Sequence, residues 1–190
     1  MFAVLGASGN TGKVVAETLL SQNKKVRVVV RDVAKGQVWK EAGADVSVAD
    51  VEDNAALKRA FGGTEGAYVL LPPNFSSTHV RADNNRRTGT IAAAIEAAGV
   101  PHVVLLSSIG AQQAEGTGPV LGLHDAEAVF TRGRAAATFV RAAYFMENWG
   151  GAFRRRSGSS AVVPPRRQSD SVGRHTGYRG RRGASARRGR

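Results

Sequence analysis

The chain has 190 residues, 42% of them hydrophobic, and a formal net charge of +12. This length and composition suit one globular domain with a sizeable core. The sequence contains no cysteine, which excludes a disulfide framework and a cysteine-ligated zinc site, and we expect no metal. No apolar run is long enough to span a bilayer, and the N-terminus has the pattern of a strand rather than a signal peptide. We therefore expect a cytoplasmic protein.

The first predicted element is a buried strand, 2–5, which leads directly into a glycine-rich turn and a helix. Gly6 lets the chain turn off the strand, Gly9 lets the backbone approach a pyrophosphate, and Gly12 lets the helix pack closely on the sheet. The helix N-terminus offers free N–H groups and a positive dipole end to phosphates. This spacing favours a dinucleotide-binding turn over a turn that binds nothing. The other turn residues expected to contact the cofactor are Ser8, Asn10 and Thr11.

The second apolar run, 26–30, ends in Arg31, where a dinucleotide-binding fold places the adenosine ribose. An acidic residue there would favour NAD by accepting from the ribose 2′-OH, whereas an arginine neutralises the 2′-phosphate of NADP. Asp32 is adjacent, so a one-residue error in the strand end would exchange the two roles. Lys35 adds a second cation. NADP is the expected cofactor, with NAD as the alternative.

Helical patterns and short apolar runs alternate as far as about residue 149. The predicted helices are 35–43, 53–61, 79–98 and 123–133, and the later strands lie near 45–49, 67–71, 102–106 and 137–140. This alternation predicts right-handed crossovers and a three-layer, doubly wound parallel sheet, the α/β Rossmann fold. Ligands of such sheets bind beyond the carboxyl ends of the strands. The segments to expect there are 71–74, 107–110 and 142–149.

Several residues near these strand ends are predicted to contact the cofactor. Asp50 follows the third apolar run and is placed to meet the adenine edge, although it could equally cap the next helix. Leu71 and Pro72 follow the fourth strand, and Ser107 follows the fifth. The polar side chains within the long helix are expected to form a solvated face: Asn84, Arg86 and Arg87.

The motifs taken together resemble the NmrA-like atypical short-chain dehydrogenases/reductases. They are the opening Gly-x-x-Gly-x-x-Gly, the Arg31 position, Leu105-Leu106-Ser107-Ser108-Ile109-Gly110, Thr138-Phe139-Val140-Arg141 and Phe145-Met146-Glu147-Asn148. The resemblance covers residues 1–153 and implies a Rossmann domain that binds NADP or NAD. It implies either an NAD(P)H-dependent reductase of quinones or azo dyes, or a redox-sensing regulator that contacts a partner protein without turnover.

The catalytic pattern of ordinary short-chain dehydrogenases is incomplete here. They use a serine, then a tyrosine with a lysine four residues later, and no Tyr-x-x-x-Lys occurs in this chain. Ser107 and Ser108 stand where the serine would. His124 is the nearest candidate proton donor, with an unperturbed pKa of about 6.5, although a helix-surface histidine is an equal alternative. Glu127 is expected to be a solvated helix charge.

The segment that follows the last strand, 144–149, walls the nicotinamide pocket in the family that the chain resembles. Tyr144 therefore joins Ser107 and His124 as a candidate catalytic residue, while an aromatic cluster belonging to the core is the alternative reading. The missing Tyr-x-x-x-Lys argues against alcohol–ketone chemistry. It leaves open direct hydride transfer to a quinone-like small molecule, which demands less help with protons.

Residues 154–190 differ from the rest in composition. Residues 1–153 hold 15 basic and 14 acidic residues, whereas 154–190 hold 12 arginines, no lysine and a single acid, Asp170. The segment lacks leucine, isoleucine and phenylalanine, so it cannot bury enough apolar surface to offset its ordering entropy. We expect a disordered basic tail whose binding to nucleic acid is only nonspecific.

The composition of this tail also suggests a GC-rich coding sequence that is translated in the wrong reading frame, shifted by one nucleotide. Permitted codons for 164–179, read one nucleotide later, allow a string that ends Val-Ala-Thr-x-Asp-Ile-Gly and resembles the family's continuation. We therefore expect a frameshift near Phe153, which sequencing of the encoding DNA would test. Loss of a substrate-covering region would expose Phe145 and Trp149 beside a sheet edge, a surface that favours a homodimer.

Overall fold

The strands form one parallel sheet, which confirms the predicted α/β architecture. The structure is a computed structural model that describes residues 1–72 and 77–146. The strands are β1 (Phe2–Leu5), β2 (Val26–Val30), β3 (Asp45–Val48), β4 (Gly66–Val69), β5 (His102–Ser108) and β6 (Ala136–Ala142). Their spatial order is β3-β2-β1-β4-β5-β6, and every neighbouring pair is parallel.

Helices connect successive strands. They are α1 (Asn10–Ser21), α2 (Gln37–Glu41), α3 (Asn54–Phe61), α4 (Val80–Ala98) and α5 (Leu121–Arg132), with short 3₁₀ turns at Val33–Gly36 and Gly118–Val120. The predicted helix 35–43 is therefore shorter than expected and begins with a 3₁₀ turn. The Asp32 carboxylate caps that turn by accepting from the Ala34 N–H at 2.9 Å. Gly43, with a φ of +86°, follows α2 where its chain reverses.

The sheet separates two apolar cores. On one face, Phe61 of α3, Ile91 of α4 and Phe130 of α5 pack against alternate strand residues. On the other face, Ala16 of α1 and Trp39 of α2 pack against the intervening ones. Because successive strand side chains point to opposite faces, neighbouring strand residues join different cores. This is the three-layer arrangement that the alternation of elements predicts.

The chain builds the sheet outward in two directions from β1. The strands β2 and β3 follow on one side, whereas β4, β5 and β6 follow on the other. The helices after β1 and β4 consequently lie on opposite faces of the sheet. A crevice opens between the carboxyl ends of two such strands, and ligands of doubly wound sheets bind there.

Four strand ends differ from the predicted boundaries, those of β3, β4, β5 and β6, and the ends of β4 and β5 bear on the site. β5 continues to Ser108, because Ser107 and Ser108 pair with Arg141 and Ala142 of β6. Ser107 therefore stands on a rigid strand rather than in the loop after it. β4 ends earlier than predicted, at Val69, so that Leu71 and the residues beside it belong to the following loop.

The helices α4 and α5 are joined by an ion pair. The Arg81 guanidinium donates to both carboxylate oxygens of Asp125, at 2.7 and 2.8 Å, and Asn85 donates to the same carboxylate at 2.9 Å. The bonds from Arg81 hold the pKa of Asp125 down at about 2. This pairing fixes the N-terminal halves of two helices that cover the same face of the sheet.

Several sequence predictions lie outside the described residues. They concern Asn74, Trp149 and the whole tail 154–190, and they stay predictions. Within residues 1–72 and 77–146, no helix is both long enough and apolar enough to cross a membrane.

Replacing Gly12 by alanine should destabilise the fold. A Cβ at this position would lie 2.3 Å from the Gly6 carbonyl oxygen, and backbone cannot move aside as a flexible side chain can. We expect Gly12→Ala to lower the free energy of unfolding by about 1–3 kcal/mol, as overpacking does. Urea denaturation followed by circular dichroism measures this. Gly89→Ala is the matched control: the site is open, and alanine in the middle of α4 should raise stability by about 0.5–1 kcal/mol.

Replacing Arg81 by alanine should remove a pH-dependent part of the stability. A folded pKa of about 2 lies below the unfolded value of about 3.9, so the pair stabilises the fold above pH 5 and its contribution disappears toward pH 2. Because the Arg81 side chain is half exposed and screened by solvent, we expect only a small loss of stability at neutral pH. Unfolding measured from pH 7 to pH 2 should show wild type and variant converging. Lys13→Ala, which breaks an exposed pair with Glu17, should show no such convergence. A pH-independent difference for Arg81→Ala would contradict the assignment.

Candidate cofactor-binding cleft

The glycine turn has the close contacts that its spacing predicts. Gly6 adopts a φ of +70°, and its carbonyl oxygen accepts from the Gly9 N–H at 2.9 Å. The same oxygen leaves no room for a side chain on Gly12, so α1 lies directly against the end of β1. A Cβ on Gly9, in contrast, would meet only that oxygen, at 3.4 Å. The turn thus leaves open space beside its backbone.

Backbone N–H groups at the start of α1 are free to bind a ligand. The first bond of the helix runs from the Lys13 N–H to the Gly9 carbonyl, so the amides of residues 10–12 precede the helical bonding pattern. Tyr68 of β4 lies on the same side of the sheet as α1, and burial raises the pKa of its hydroxyl. The helix start presents its backbone N–H groups as donors.

A cleft of about 1030 Å³ lies above this turn at the carboxyl edge of the sheet. It brings together ten of the residues that the sequence singles out: Gly6, Ser8, Gly9, Asn10, Thr11, Arg31, Leu71, Pro72, Ser107 and Tyr144. Gly12 lies beneath, in the contact between helix and strand. Asp50 lines an adjoining pocket, and His124 is absent from the described walls of both.

The structure separates the roles of the two charged residues after β2. Arg31 lines the cleft together with Lys35. The Asp32 carboxylate turns instead to the Ala34 N–H and caps the 3₁₀ turn. A cation rather than an acid consequently faces the place that the ribose of a dinucleotide would occupy.

A second pocket of about 720 Å³ adjoins Arg31, between the loops after β3 and β4. Asp50 lines it and accepts from the Glu52 N–H at 2.9 Å. The alternative in which Asp50 caps the next helix is wrong: Asp53 caps α3 by accepting from the Ala56 N–H.

Arg87 is not part of a solvated face, contrary to the sequence prediction. Its side chain is only 14% exposed; it donates to Glu52 at 3.0 Å and to the Pro72 carbonyl at 3.3 Å. The bond from Arg87, followed by that from Arg86, lowers the pKa of Glu52. Arg87 thereby connects both loops that wall the second pocket.

The other two residues of that predicted face divide between solvent and packing. Arg86 is exposed, as expected. Asn84 packs against Gly122 of α5, where a Cβ would meet its side chain at 2.7 Å. The solvated face predicted for α4 fails at Asn84 and Arg87 because α5 and the β3 and β4 loops lie against it.

Glu127, expected to be a solvated charge, is instead buried at 7% exposure. Its carboxylate accepts from the Ser107 hydroxyl at 2.5 Å, and from Arg141 Nε at 3.0 Å and Nη2 at 2.6 Å. The bonds from the Arg141 guanidinium lower the pKa of this carboxyl, and the Ser107 bond adds to the effect. The network joins α5 to the ends of β5 and β6.

The helical pattern of α5 contained a signal for this burial. Gly122, Ala126 and Phe130 are buried at four-residue spacing, and Glu127 lies next to that stripe. An acid on the inward side of a helix needs a partner, and Arg141 is the arginine in the Thr-Phe-Val-Arg motif. The charge of Glu127 alone suggested that its side chain faces solvent. Its position on the helix, beside the buried stripe, indicated instead that it faces the core.

The two remaining catalytic candidates differ in placement. Nδ1 of His124 lies 2.8 Å from the Ala111 carbonyl oxygen, so this nitrogen carries the proton and donates. Its role as a proton donor to substrate stays a prediction. Tyr144 lines the far end of the cleft with 67% of its surface exposed.

Comparison with known proteins agrees with this geometry. An NmrA-like family domain-containing oxidoreductase from Aspergillus japonicus is 33% identical over 134 residues, which cover 67% of this chain and 40% of that protein. Quinone oxidoreductase 2 from Escherichia coli K12 is 32% identical over 155 residues, or 78% of this chain and 50% of that protein. The chain thus spans half or less of the length of these relatives.

The solved structures show the same fold. Triphenylmethane reductase from Citrobacter sp., determined in complex with NADP(H), superposes with a TM-score of 0.73 at 21% identity, covering 83% of this chain and 56% of that one. A family model described as NAD(P)H-binding matches residues 6–152, from the glycine turn to beyond β6. The resemblance to NmrA-like reductases is therefore confirmed, and the chain belongs to the NAD(P)H-binding family.

Proposed function

We propose that this chain binds NADP(H) along the cleft and passes a hydride to a quinone-like small molecule. One observation carries the proposal. A single cleft runs from Arg31, past the glycine turn, to Ser107 and Tyr144. A dinucleotide requires a basic end and a phosphate-binding centre. A flat acceptor requires an open end with an aromatic side chain.

The order of the strands supports one orientation of the dinucleotide in the cleft. The phosphates belong at the glycine turn, which follows β1 at the centre of the edge. Arg31 follows β2 on one side, whereas Ser107 lies near the end of β5 on the other. Three strand spacings, about 14 Å, separate these two ends. The adenosine half therefore extends toward Arg31, and the nicotinamide half extends toward Ser107.

The residues present fit this cofactor. Open space beside Gly9 and the unbonded amides of residues 10–12 suit the pyrophosphate. Arg31 and Lys35 offer two cations to a 2′-phosphate, while the Asp32 carboxylate that would favour NAD is engaged elsewhere. An arginine binds phosphate through a pair of parallel, charge-assisted hydrogen bonds. These contacts support NADP over NAD.

The reaction proposed is a hydride transfer that needs little help from the protein. Bound NADPH supplies the hydride, and a quinone becomes a hydroquinone by accepting it together with a proton from water. The chain binds and orients both partners, and exposure of Tyr144 leaves the acceptor end open to water. The name and similarity of the Escherichia coli relative support a quinone as the acceptor.

Removal of the Arg31 charge should weaken NADP(H) selectively. We expect Arg31→Ala to raise the Kd for NADPH roughly ten- to a hundredfold, the value of a charge-assisted phosphate contact, and to leave NADH nearly unchanged. Calorimetric titration of both cofactors measures this. Arg132→Ala removes an exposed arginine at the end of α5 and should change neither Kd. Equal losses for both cofactors on Arg31→Ala would show that Arg31 serves the fold instead.

Oxidation of NADPH by simple quinones tests the activity itself. We expect the absorbance of reduced nicotinamide to fall when a benzoquinone or naphthoquinone is added, with hydroquinone as product. NADPH binding without such turnover would contradict the enzymatic part of the proposal.

The variant His124→Gln tests the predicted proton donor. Loss of a general acid costs about a hundredfold or more in rate. We expect a smaller decrease, because His124 lies outside the described cleft walls and a quinone demands little proton assistance. A hundredfold loss of kcat at unchanged KM, with a pH profile altered near neutrality, would establish His124 as the acid.

A further inference from the structure

We infer that Ser107 meets the nicotinamide carboxamide as a hydrogen-bond acceptor, and that Glu127 and Arg141 are positioning residues that hold its hydroxyl in that role. The inference deepens the proposed function and rests on it. It concerns whether Ser107 acts as a hydrogen-bond donor or as an acceptor at the nicotinamide end of the cleft. The remaining cleft contacts do not determine this.

The direction of the Ser107 hydroxyl follows from its partner. The Ser107 Oγ and the Glu127 carboxylate oxygen are 2.5 Å apart, the short distance of a charge-assisted O–H···O⁻ bond. An ionised carboxylate accepts hydrogen bonds and cannot donate one. The proton between these two oxygens therefore belongs to the serine.

Arg141 keeps Glu127 in its ionised form. Its guanidinium donates to both carboxylate oxygens, and the pKa of the carboxyl is lowered mainly by this contact. His124, one turn away on α5, contributes a smaller attraction to the same carboxylate. At neutral pH the acceptor of the Ser107 proton is consequently always charged. A buried acid left without this arginine would protonate more readily and could then donate.

A serine hydroxyl has one proton and two lone pairs. With the proton directed to Glu127, the Ser107 oxygen offers only lone pairs to a ligand in the cleft that this residue lines. It therefore selects a donor. The carboxamide N–H is the donor on the nicotinamide ring, whereas a quinone carbonyl is not one; the ribose hydroxyls are the other donors in this half.

Binding of two cofactor analogues tests the inference. The 3-acetylpyridine analogue of NADP⁺ keeps the ring carbonyl and lacks the N–H donor, and adenosine 2′,5′-bisphosphate lacks the nicotinamide half altogether. Calorimetric Kd values are measured for NADP⁺ and both analogues. We expect wild type to prefer NADP⁺ over the acetylpyridine analogue by roughly three- to tenfold, the effect of one neutral hydrogen bond.

Two substitutions should abolish that preference by different routes. Ser107→Ala removes the acceptor, so the ratio of the two Kd values should fall to about one. Glu127→Gln removes the charge that fixes the proton, so the Ser107 hydroxyl can turn and donate to the acetyl oxygen, and the ratio should also fall. Binding of the bisphosphate should stay unchanged in both variants, which a general loss of structure would not allow. Ser21→Ala, at the far end of α1, should keep the wild-type ratio.

The outcomes separate this inference from the proposed function. Failure of wild type to bind NADP⁺ would overturn both. Tight NADP⁺ binding with equal affinity for the acetylpyridine analogue would overturn the carboxamide contact alone. If Ser107→Ala keeps the wild-type ratio of the two Kd values, the carboxamide N–H donates to a residue other than Ser107. If Glu127→Gln keeps that ratio, Glu127 is not a positioning residue.

Discussion

The structure depends on the close contact between the ends of β1 and α1. The Gly6 carbonyl oxygen lies where a Cβ of Gly12 would be, so the helix begins almost on top of the strand. This contact determines where the unbonded amides of α1 are displayed, because those amides lie one turn or less from the same glycines. The close packing of the turn thus positions backbone N–H groups that favour a negatively charged ligand. They lie at the point where the strand order of the sheet reverses.

Arginine–carboxylate pairs connect the elements around that point. Arg87 ties the loops after β3 and β4 to α4, and Arg141 ties the ends of β5 and β6 to α5 through Glu127. In both cases a planar guanidinium satisfies more than one acceptor at once. Such partly exposed pairs contribute little net stability compared with apolar contacts. Their effect is geometric, since they hold strand ends and loops at defined positions around the cleft.

The two ends of the cleft differ in chemistry as a consequence. Toward β2, the cations Arg31 and Lys35 line the cleft and can meet a phosphate. Toward β5, Glu127 and Arg141 form an ion pair beside Ser107, so the two charges offset each other. Such compensated charges suit the nicotinamide ring and the uncharged acceptor of the proposed function. The recognition of a phosphate charge and the proposed redox chemistry therefore lie at different places along the same carboxyl edge of the sheet.

The sequence by itself determined the order and type of the elements, because glycine spacing and apolar periodicity act over a few residues. It also placed Arg31 directly after β2, where its side chain lines the cleft, since one strand end decides that position. Only the tertiary structure decided the partners of Glu127 and Arg87, which lie 14 and 35 residues from Arg141 and Glu52. Whether a charged helix residue faces solvent depends on what packs against that helix. A single sequence contains the charge but not its neighbour, and the sheet order brings the two together.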